Sequence, residues 1–552
     1  MKTKKIVFIT ITALLFICGL TALKQDDRSF NISKYLNIYA SIFRELNMLY
    51  VDEVDPENLI TKSIHAMLKT LDPYTIYFPE SEMEEVKLMT TGEYAGIGSI
   101  ISKKGDQVII REPYKNSPAD KAGLLPGDII LAIDGTSTAN KDIEEVSNML
   151  KGLPGKEVTI KIKREFQNKP LEKKAIREKI QLPSVPFYGL INDTVGYIFL
   201  SNFTDKAAQD VRTAIIDLKN TGAVSMILDL RGNAGGLLDQ AVEIVNYFIP
   251  RNSKVVSTKG RIKQWDQEFQ TTKNPIVAEM PLAILINRGS ASAAEIVSGA
   301  LQDFDRAVLI GERSYGKGLV QNVRDLPYNT KLKVTTAKYY IPSGRCIQAV
   351  DYSQRNPDGS VGKVPDSLIT EYTTKNGRKV YDGGGITPDI PIPSKEFARI
   401  TQELVLQDIT FDFVNSYALK HPEAAPLHEF KLTEEIYNQF KQFLKEKNFS
   451  YETESQKSLE RLIHFAKREK YYEASKKTLD ELQDHFSHSI DRDMNLFKEE
   501  IIAFLTEEFI QRYYFSEGVI EYRIQYDEET KKAVEILTNQ KEYQRILNGT
   551  EE

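Results

Sequence analysis

Apolar positions from about Phe30 to Glu85 recur at a helical interval. Tyr35, Tyr39, Ile42, Leu46 and Leu49 fall at i, i+4, i+7 spacing and predict one apolar stripe. Leu71-Asp-Pro-Tyr-Thr interrupts that pattern with a turn. Beyond it the period shortens. Ile97-Gly-Ser-Ile-Ile, Gln107-Val-Ile-Ile, Asp128-Ile-Ile-Leu-Ala-Ile and Val158-Thr-Ile-Lys-Ile-Lys read as strands between glycine turns. Asp142 to Lys151 reads as a helix ended by Gly152. From about Gln181 to Ile392 strands alternate with helices. Strands are expected at Thr194 to Phe203, Ser225 to Leu230, Pro281 to Asn287, Ala307 to Ile310 and Leu332 to Ile341. Helices are expected at Lys206 to Leu218, from Leu237 and from about Ala291. Such alternation predicts an α/β layer fold. After Phe397, Glu, Lys, Leu and aromatic residues dominate and glycines are few, which predicts a helical extension whose charge runs are solvated helix faces.

These patterns divide the chain into 1–29 (an export leader or membrane anchor), 30–85 (helical), 86–165 (β-rich), 180–395 (α/β) and 396–552 (helical). A length of 552 residues agrees with several domains. An apolar content of 41% with 27% charged residues describes a packed globular protein. The net charge of -6 and the lack of a basic stripe argue against a nucleic-acid partner. In the leader, Lys2, Lys4 and Lys5 precede an uncharged stretch from Ile6 to Leu23, and Lys24-Gln-Asp-Asp-Arg begins polar sequence. The stretch is long for a cleaved signal and only just long enough to span a bilayer, so an anchor is slightly favoured over a cleaved leader. Either way the body is expected to be exported. Cys18 lies in the leader, which leaves Cys346 and no disulfide framework in the body.

The histidines narrow the chemistry. None lies between His65 and His421, a span that holds the whole α/β region. A serine nucleophile there needs another base, and lysine is the known substitute. The strand Pro281-Leu-Ala-Ile-Leu-Ile-Asn runs into Arg288-Gly-Ser-Ala-Ser-Ala-Ala-Glu-Ile. A serine opening the next helix has backbone N–H groups and the positive helix end beside it, which suits an acyl-transfer oxyanion. Read alone, the segment also fits a small-residue packing turn with a capping serine.

Lys317, in Gly311-Glu-Arg-Ser-Tyr-Gly-Lys-Gly, is the candidate base. As a phosphate loop this run fails, because Gly318 stands where Ser or Thr would bind magnesium. As an S-x-x-K motif, Ser314-Tyr-Gly-Lys317, it lacks the S-D-N and K-T-G partners. To accept a proton Lys317 must be neutral, so its pKa must fall roughly three units from about 10.4. Burial between Gly316 and Gly318 suits that, and Gln321 could orient the amine through its side-chain carbonyl. Asp229-Leu-Arg-Gly-Asn-Ala-Gly-Gly236 follows another buried strand, and a glycine N–H there could be a second oxyanion donor.

Together these segments resemble the carboxyl-terminal processing proteases, also called tail-specific proteases, over roughly residues 35 to 395. The resemblance rests on the Asp229–Gly236 loop, Gly289-Ser-Ala-Ser-Ala-Ala-Glu295 and Gly311 through Gln321. It implies a serine endopeptidase with a crotonase-like α/β core, Ser292 as nucleophile and Lys317 as base. Gln321 would be the third member, and the Ala293 N–H with that of Gly235 or Gly236 would form the oxyanion hole. Ser290 is the competing serine, disfavoured by its spacing to Lys317. Ala234 and Ala294 depart mildly from the family pattern. The β-rich stretch resembles a PDZ domain that looks inserted into the chain, with Tyr94-Ala-Gly-Ile-Gly98 in the place of the carboxylate-binding loop. By that likeness Ala95, Gly96, Ile97 and Gly98 would bind the free C-terminus of a protein or peptide substrate. Metal and cofactor are not implied. Membrane contact through the leader and homo-oligomerisation are further expectations. A non-catalytic PDZ scaffold is the alternative reading.

Overall fold

The computed structural model describes residues 28–356, 360–486 and 489–549. The basic and apolar leader before residue 28 lies outside them. The described residues divide into two compact units, those up to 77 with 323–334, and those of 78–322 with those from 335 onward. In the first unit, positions 28–49 are helical and a second helix runs Pro56–Lys69, started by the Asp55 carboxylate accepting from the N–H groups of Glu57 and Asn58. The apolar stripe is present but unburied: Tyr35 is 64% and Leu49 73% exposed. No helix among the described residues is long and apolar enough to cross a membrane.

In the second unit, Ser99–Lys104, Gln107–Pro113, Ile129–Ile133, Glu157–Lys163 and Leu171–Ile176 form an antiparallel sheet, with the helix Ile143–Leu150 beside it. The sheet therefore runs past residue 165. Val158, Ile160 and Ile162 alternate with outward residues and are fully buried, as a half-buried strand requires. Asp142 and Glu145 close a capping box on the helix.

The α/β core is a six-stranded sheet in the order Phe187–Ile191, Val195–Phe199, Ser225–Asp229, Leu282–Ile286, Val308–Gly311, Ile390–Pro391. Only the first pair is antiparallel. A mainly parallel sheet must be covered on both faces. Leu282, Ile284 and Ile286 point to one side, against the helices Ala207–Asn220, Leu238–Asn246 and Ala293–Asp303. Ala283 and Leu285 point to the other, where Ile524, Ala533, Ile536, Leu537, Tyr543 and Leu547 meet them.

Those last residues revise the expectation for 396–552. Glu528–Thr538 and Gln540–Asn548 bury their apolar faces as the second layer of the core, while charged residues such as Glu528, Lys531 and Glu535 stay exposed. A further helical cluster, including Leu404, Phe413, Phe440, Leu505 and Phe509, has a core of its own.

Candidate active site

Three neighbouring parallel strands, Ser225–Asp229, Leu282–Ile286 and Val308–Gly311, end on the same edge of the sheet, and each runs into one of the glycine-bearing loops. Ligand sites of α/β sheets form at such carboxyl ends. Backbone and short polar side chains join the first two loops. Gly232 and Gly289 both donate N–H to Asn287 Oδ1 (2.9 Å each), and Ala291 N–H donates to the Asn233 carbonyl (2.9 Å).

Ser292 is the residue before the helix Ala293–Asp303 and holds φ 56, ψ -113. A positive φ is costly for a serine, about 1–3 kcal/mol, and persists only where the surroundings enforce it. Here they do. The Ser292 N–H donates to Glu295 Oε2 (2.8 Å), and Gly235 closes from the other side. A side chain at Gly235 would meet the Ala291 carbonyl at 2.7 Å and the Ala293 nitrogen at 2.9 Å, so only glycine allows this approach. Ser290 is different: it is fully buried, its hydroxyl donates to the Leu230 carbonyl (2.8 Å), and it accepts from the Asn287 N–H (3.0 Å).

Glu295 joins the second and third loops. It is completely buried, and its two oxygens accept four hydrogen bonds. Oε2 takes the N–H groups of Ser292 (2.8 Å) and Lys317 (2.9 Å). Oε1 takes the Gly316 N–H (2.7 Å) and the Ser314 hydroxyl (2.5 Å). Burial pushes its carboxyl above the usual range, and the four donors act against that rise. Gly316, at φ 85, lets the chain turn against Ala349 on the way to Lys317. Behind both loops the buried Tyr339 hydroxyl donates to the Lys317 carbonyl (2.6 Å), with the Ser292 carbonyl 3.1 Å away. Lys317 itself is half-buried.

Gln321 lies on the strand Leu319–Leu326, and its Nε2 donates to Thr335 Oγ1 (3.2 Å). Of the two glycines expected to serve an oxyanion, Gly235 gives its N–H to Asn233 Oδ1 (2.8 Å). Among the described residues no protein acceptor meets the N–H of Gly236 or of Ala293. Asn233 is fully buried, and its Nδ2 also ties the loop to the Leu200 carbonyl (2.7 Å).

Sequence reasoning assigned no role to Glu295, Asn233 or Tyr339. A signal existed for the first, because Ser292-Ala-Ala-Glu295 is a capping-box pattern. Asn within a glycine loop is a turn former through its own side chain, which is what Asn233 does.

In the β-rich module, Gly96 and Ile97 line a cavity of about 170 Å³ with Tyr94, Ser99, Tyr114 and Leu150. Ala95 sits in the strand Glu93–Gly96, paired with Glu178–Gln181. The Gly98 carbonyl accepts from the Tyr114 N–H (2.9 Å) and the Ser117 hydroxyl (2.8 Å). A larger cavity, about 740 Å³, lies between the strand Phe187–Ile191 and helical residues such as Gln525 and Thr530. It contains no residue of the Ser292–Lys317 set.

A buried-strand α/β core with this serine loop, joined to a PDZ module, defines the class as a PDZ-containing serine peptidase. The family profile described as Peptidase family S41 matches residues 194–361, and that of the PDZ domain matches 109–164. A third, described as the C-terminal helical domain of a probable PDZ-protease, matches 400–537. A carboxy-terminal-processing protease of Bartonella bacilliformis is 35% identical over 356 residues, covering 64% of this chain and 79% of that protein. A probable CtpA-like serine protease of Staphylococcus aureus is 35% identical over 345 residues, covering 61% and 67%. The solved photosystem II D1 C-terminal processing protease is 24% identical, covering 63% of this chain and 85% of that one with a TM-score of 0.35. The chain belongs to the carboxy-terminal-processing protease family and is a serine-type peptidase.

Proposed function

We infer that the chain cleaves proteins at or near their free C-termini through an acyl-enzyme on Ser292, with Lys317 as general base. The observation that carries this reading is Glu295 Oε2, which accepts from the N–H of both residues and so sets their two loops side by side. The burial of Ser290, with its hydroxyl already engaged, favours Ser292 as the nucleophile. In this mechanism the neutral Lys317 amine takes the Ser292 hydroxyl proton as Oγ attacks the scissile carbonyl. The resulting oxyanion is met by the Ala293 N–H at the helix start and by a glycine N–H of the 229–236 loop. Gly236 is the better glycine, since the Gly235 N–H is committed to Asn233. Lys317 then protonates the leaving amine, and water repeats the sequence to release the acyl group. Gln321 orients the amine through its carbonyl oxygen, its Nε2 being held by Thr335. No metal or organic cofactor enters this route.

Tail recognition belongs to the PDZ domain in this reading. The Ala95–Gly98 stretch supplies backbone N–H groups to the terminal carboxylate, and the peptide lies in the adjoining cavity. The core is crotonase-like, with the PDZ domain inserted between the helical residues 30–85 and the α/β residues 180–395. The helical part 396–552 is the C-terminal domain. Export, retention at the membrane through the leader, substrates that are themselves exported, and homo-oligomerisation complete the proposal.

Ser292→Ala and Lys317→Ala should each lower the cleavage rate of an unfolded, apolar-tailed protein by about 10⁴-fold or more. Full activity in either purified, folded variant contradicts the mechanism. Amidating the substrate C-terminus should raise KM by roughly tenfold, about 1.4 kcal/mol of lost binding; an unchanged KM contradicts tail capture.

A further inference from the structure

One short helical segment touches the PDZ domain at one end and the 229–236 loop at the other. The helix Lys498–Tyr526 breaks at Phe515, which has φ 60 and ψ -177, so the segment 516–526 begins anew with N–H groups that need acceptors. Glu112, on the PDZ strand Gln107–Pro113 and only 3% exposed, supplies one. Its Oε1 accepts the Ser516 N–H (2.9 Å), its Oε2 accepts Gln511 Nε2 (2.8 Å), and the Ser516 hydroxyl lies within hydrogen-bond distance of both oxygens. A carboxylate at a helix start also complements the helix dipole. Nearby, Arg111 pairs with Asp408 (2.5 Å) and its guanidinium lies over the Phe411 ring (4.0 Å), which seats the same PDZ strand on the helix Ile409–Lys420.

At the far end stands Asp527. Its carboxylate accepts from Arg231 Nη1 (2.9 Å) and from the Thr530 N–H (3.1 Å), the latter as cap of the helix Glu528–Thr538. Arg231 is the third residue of the Asp229–Gly236 loop. Its guanidinium also binds Asp229 through Nε (3.0 Å) and Nη2 (2.5 Å) and lies 3.4 Å from Glu529. The Tyr197 hydroxyl donates to Asp229 from behind (2.6 Å). All these groups are largely buried, so the charge pairs are poorly screened and breaking one leaves charge uncompensated.

We propose that Asp527 is a positioning residue for peptide cleavage, holding the oxyanion loop through Arg231 and receiving the seating of the PDZ strand at Glu112 through the 516–526 segment. The inference rests on the reading of the 229–236 loop as part of the oxyanion hole. It places a requirement for the reaction in the C-terminal helical domain, outside the protease core. The PDZ domain and the oxyanion loop then share one mechanical element.

The test compares Asp527→Ser with Ser292→Ala in the full chain. Serine still caps Thr530, so helix start and fold are retained while the ion pair with Arg231 is lost. Expected is a fall in kcat of about 10- to 100-fold, part of the effect of losing an oxyanion donor. KM should stay within about twofold, and a peptide boronic acid that fills the oxyanion site should bind more weakly by the same factor as kcat. Asp527→Glu should recover part of the loss, and Glu112→Gln should show a smaller fall in kcat of the same kind. A folded Asp527→Ser protein with wild-type kcat and boronate affinity overturns the inference, as does a Glu112→Gln protein with wild-type kcat. A Ser292→Ala protein that still cleaves overturns instead the reading on which it rests.

Discussion

The Ser292–Lys317 side of the site and the Arg231 loop opposite it are held in different ways. The first is held from within the α/β core by the buried Glu295 carboxylate and the Tyr339 hydroxyl. The second is fixed partly from within, by Asn233 and Asp229, and partly from the distant Asp527 and Glu529. The proposed nucleophile and base thus take their loop positions from contacts within the core. The 229–236 loop, the proposed oxyanion loop, takes part of its support from Asp527 and Glu529 of the C-terminal helical region.

Glu295→Gln should break the core-held side most strongly. An amide presents one acceptor oxygen where the carboxylate served four donors, so about 3 kcal/mol of stability is lost, with kcat down by about 100-fold or more. Thermal unfolding and steady-state kinetics on the same preparation measure both. Ser290→Ala comes next in stability, with an expected loss of about 1–2 kcal/mol from two buried hydrogen bonds. Its kcat should stay near wild type, because Ser290 only supports the loop. Tyr339→Phe should cost about 1 kcal/mol and lower kcat several-fold by loosening the Lys317 carbonyl.

The smallest effect should come from the other side, and it should depend on pH. Burial, with the hydrogen bond and charge of Asp527, pushes Glu529 up to about 7, while Asp527 is held well below the ordinary range against its own burial by Glu529 and Arg231. The charged groups acting on this pair include Arg231, Asp229, Arg523 and Lys395. A carboxyl with a raised folded pKa binds its proton more tightly in the folded state. Its contribution is therefore full below the unfolded value and lost as pH rises through about 7. Melting temperatures of wild type and Glu529→Gln measured at pH 5 and pH 8 should show the variant gaining on wild type at the higher pH. A constant difference contradicts the assignment.

Much of this was readable from residue order. Strand positions in the core follow from runs such as Leu282–Ile286, and the serine–lysine pair proposed above comes from the histidine-free span and the glycines around Lys317. Glu295 was half legible, since its spacing from Ser292 marks a helix start without revealing that the same oxygen reaches Lys317. The second layer of the core was not legible locally. Tyr543 donates to the Leu282 carbonyl across 261 positions, and helical periodicity cannot say which sheet face a helix will cover. Parallel strands do demand a cover on each face, so the need for those helices could have been inferred even though their identity could not. The opposite case is the 28–49 helix, whose apolar stripe follows its period yet is exposed. Arg231 with Asp527 joins positions almost 300 residues apart, which charge alone does not announce.

The central claim, that Ser292 is the nucleophile and Ser290 a loop support, is tested most directly by acylating the wild-type enzyme with an activated ester of an apolar peptide. After an acid quench, the modified residue is mapped by mass spectrometry. The account predicts one acyl group on Ser292. An acyl group on Ser290, with Ser292 unmodified, would contradict it.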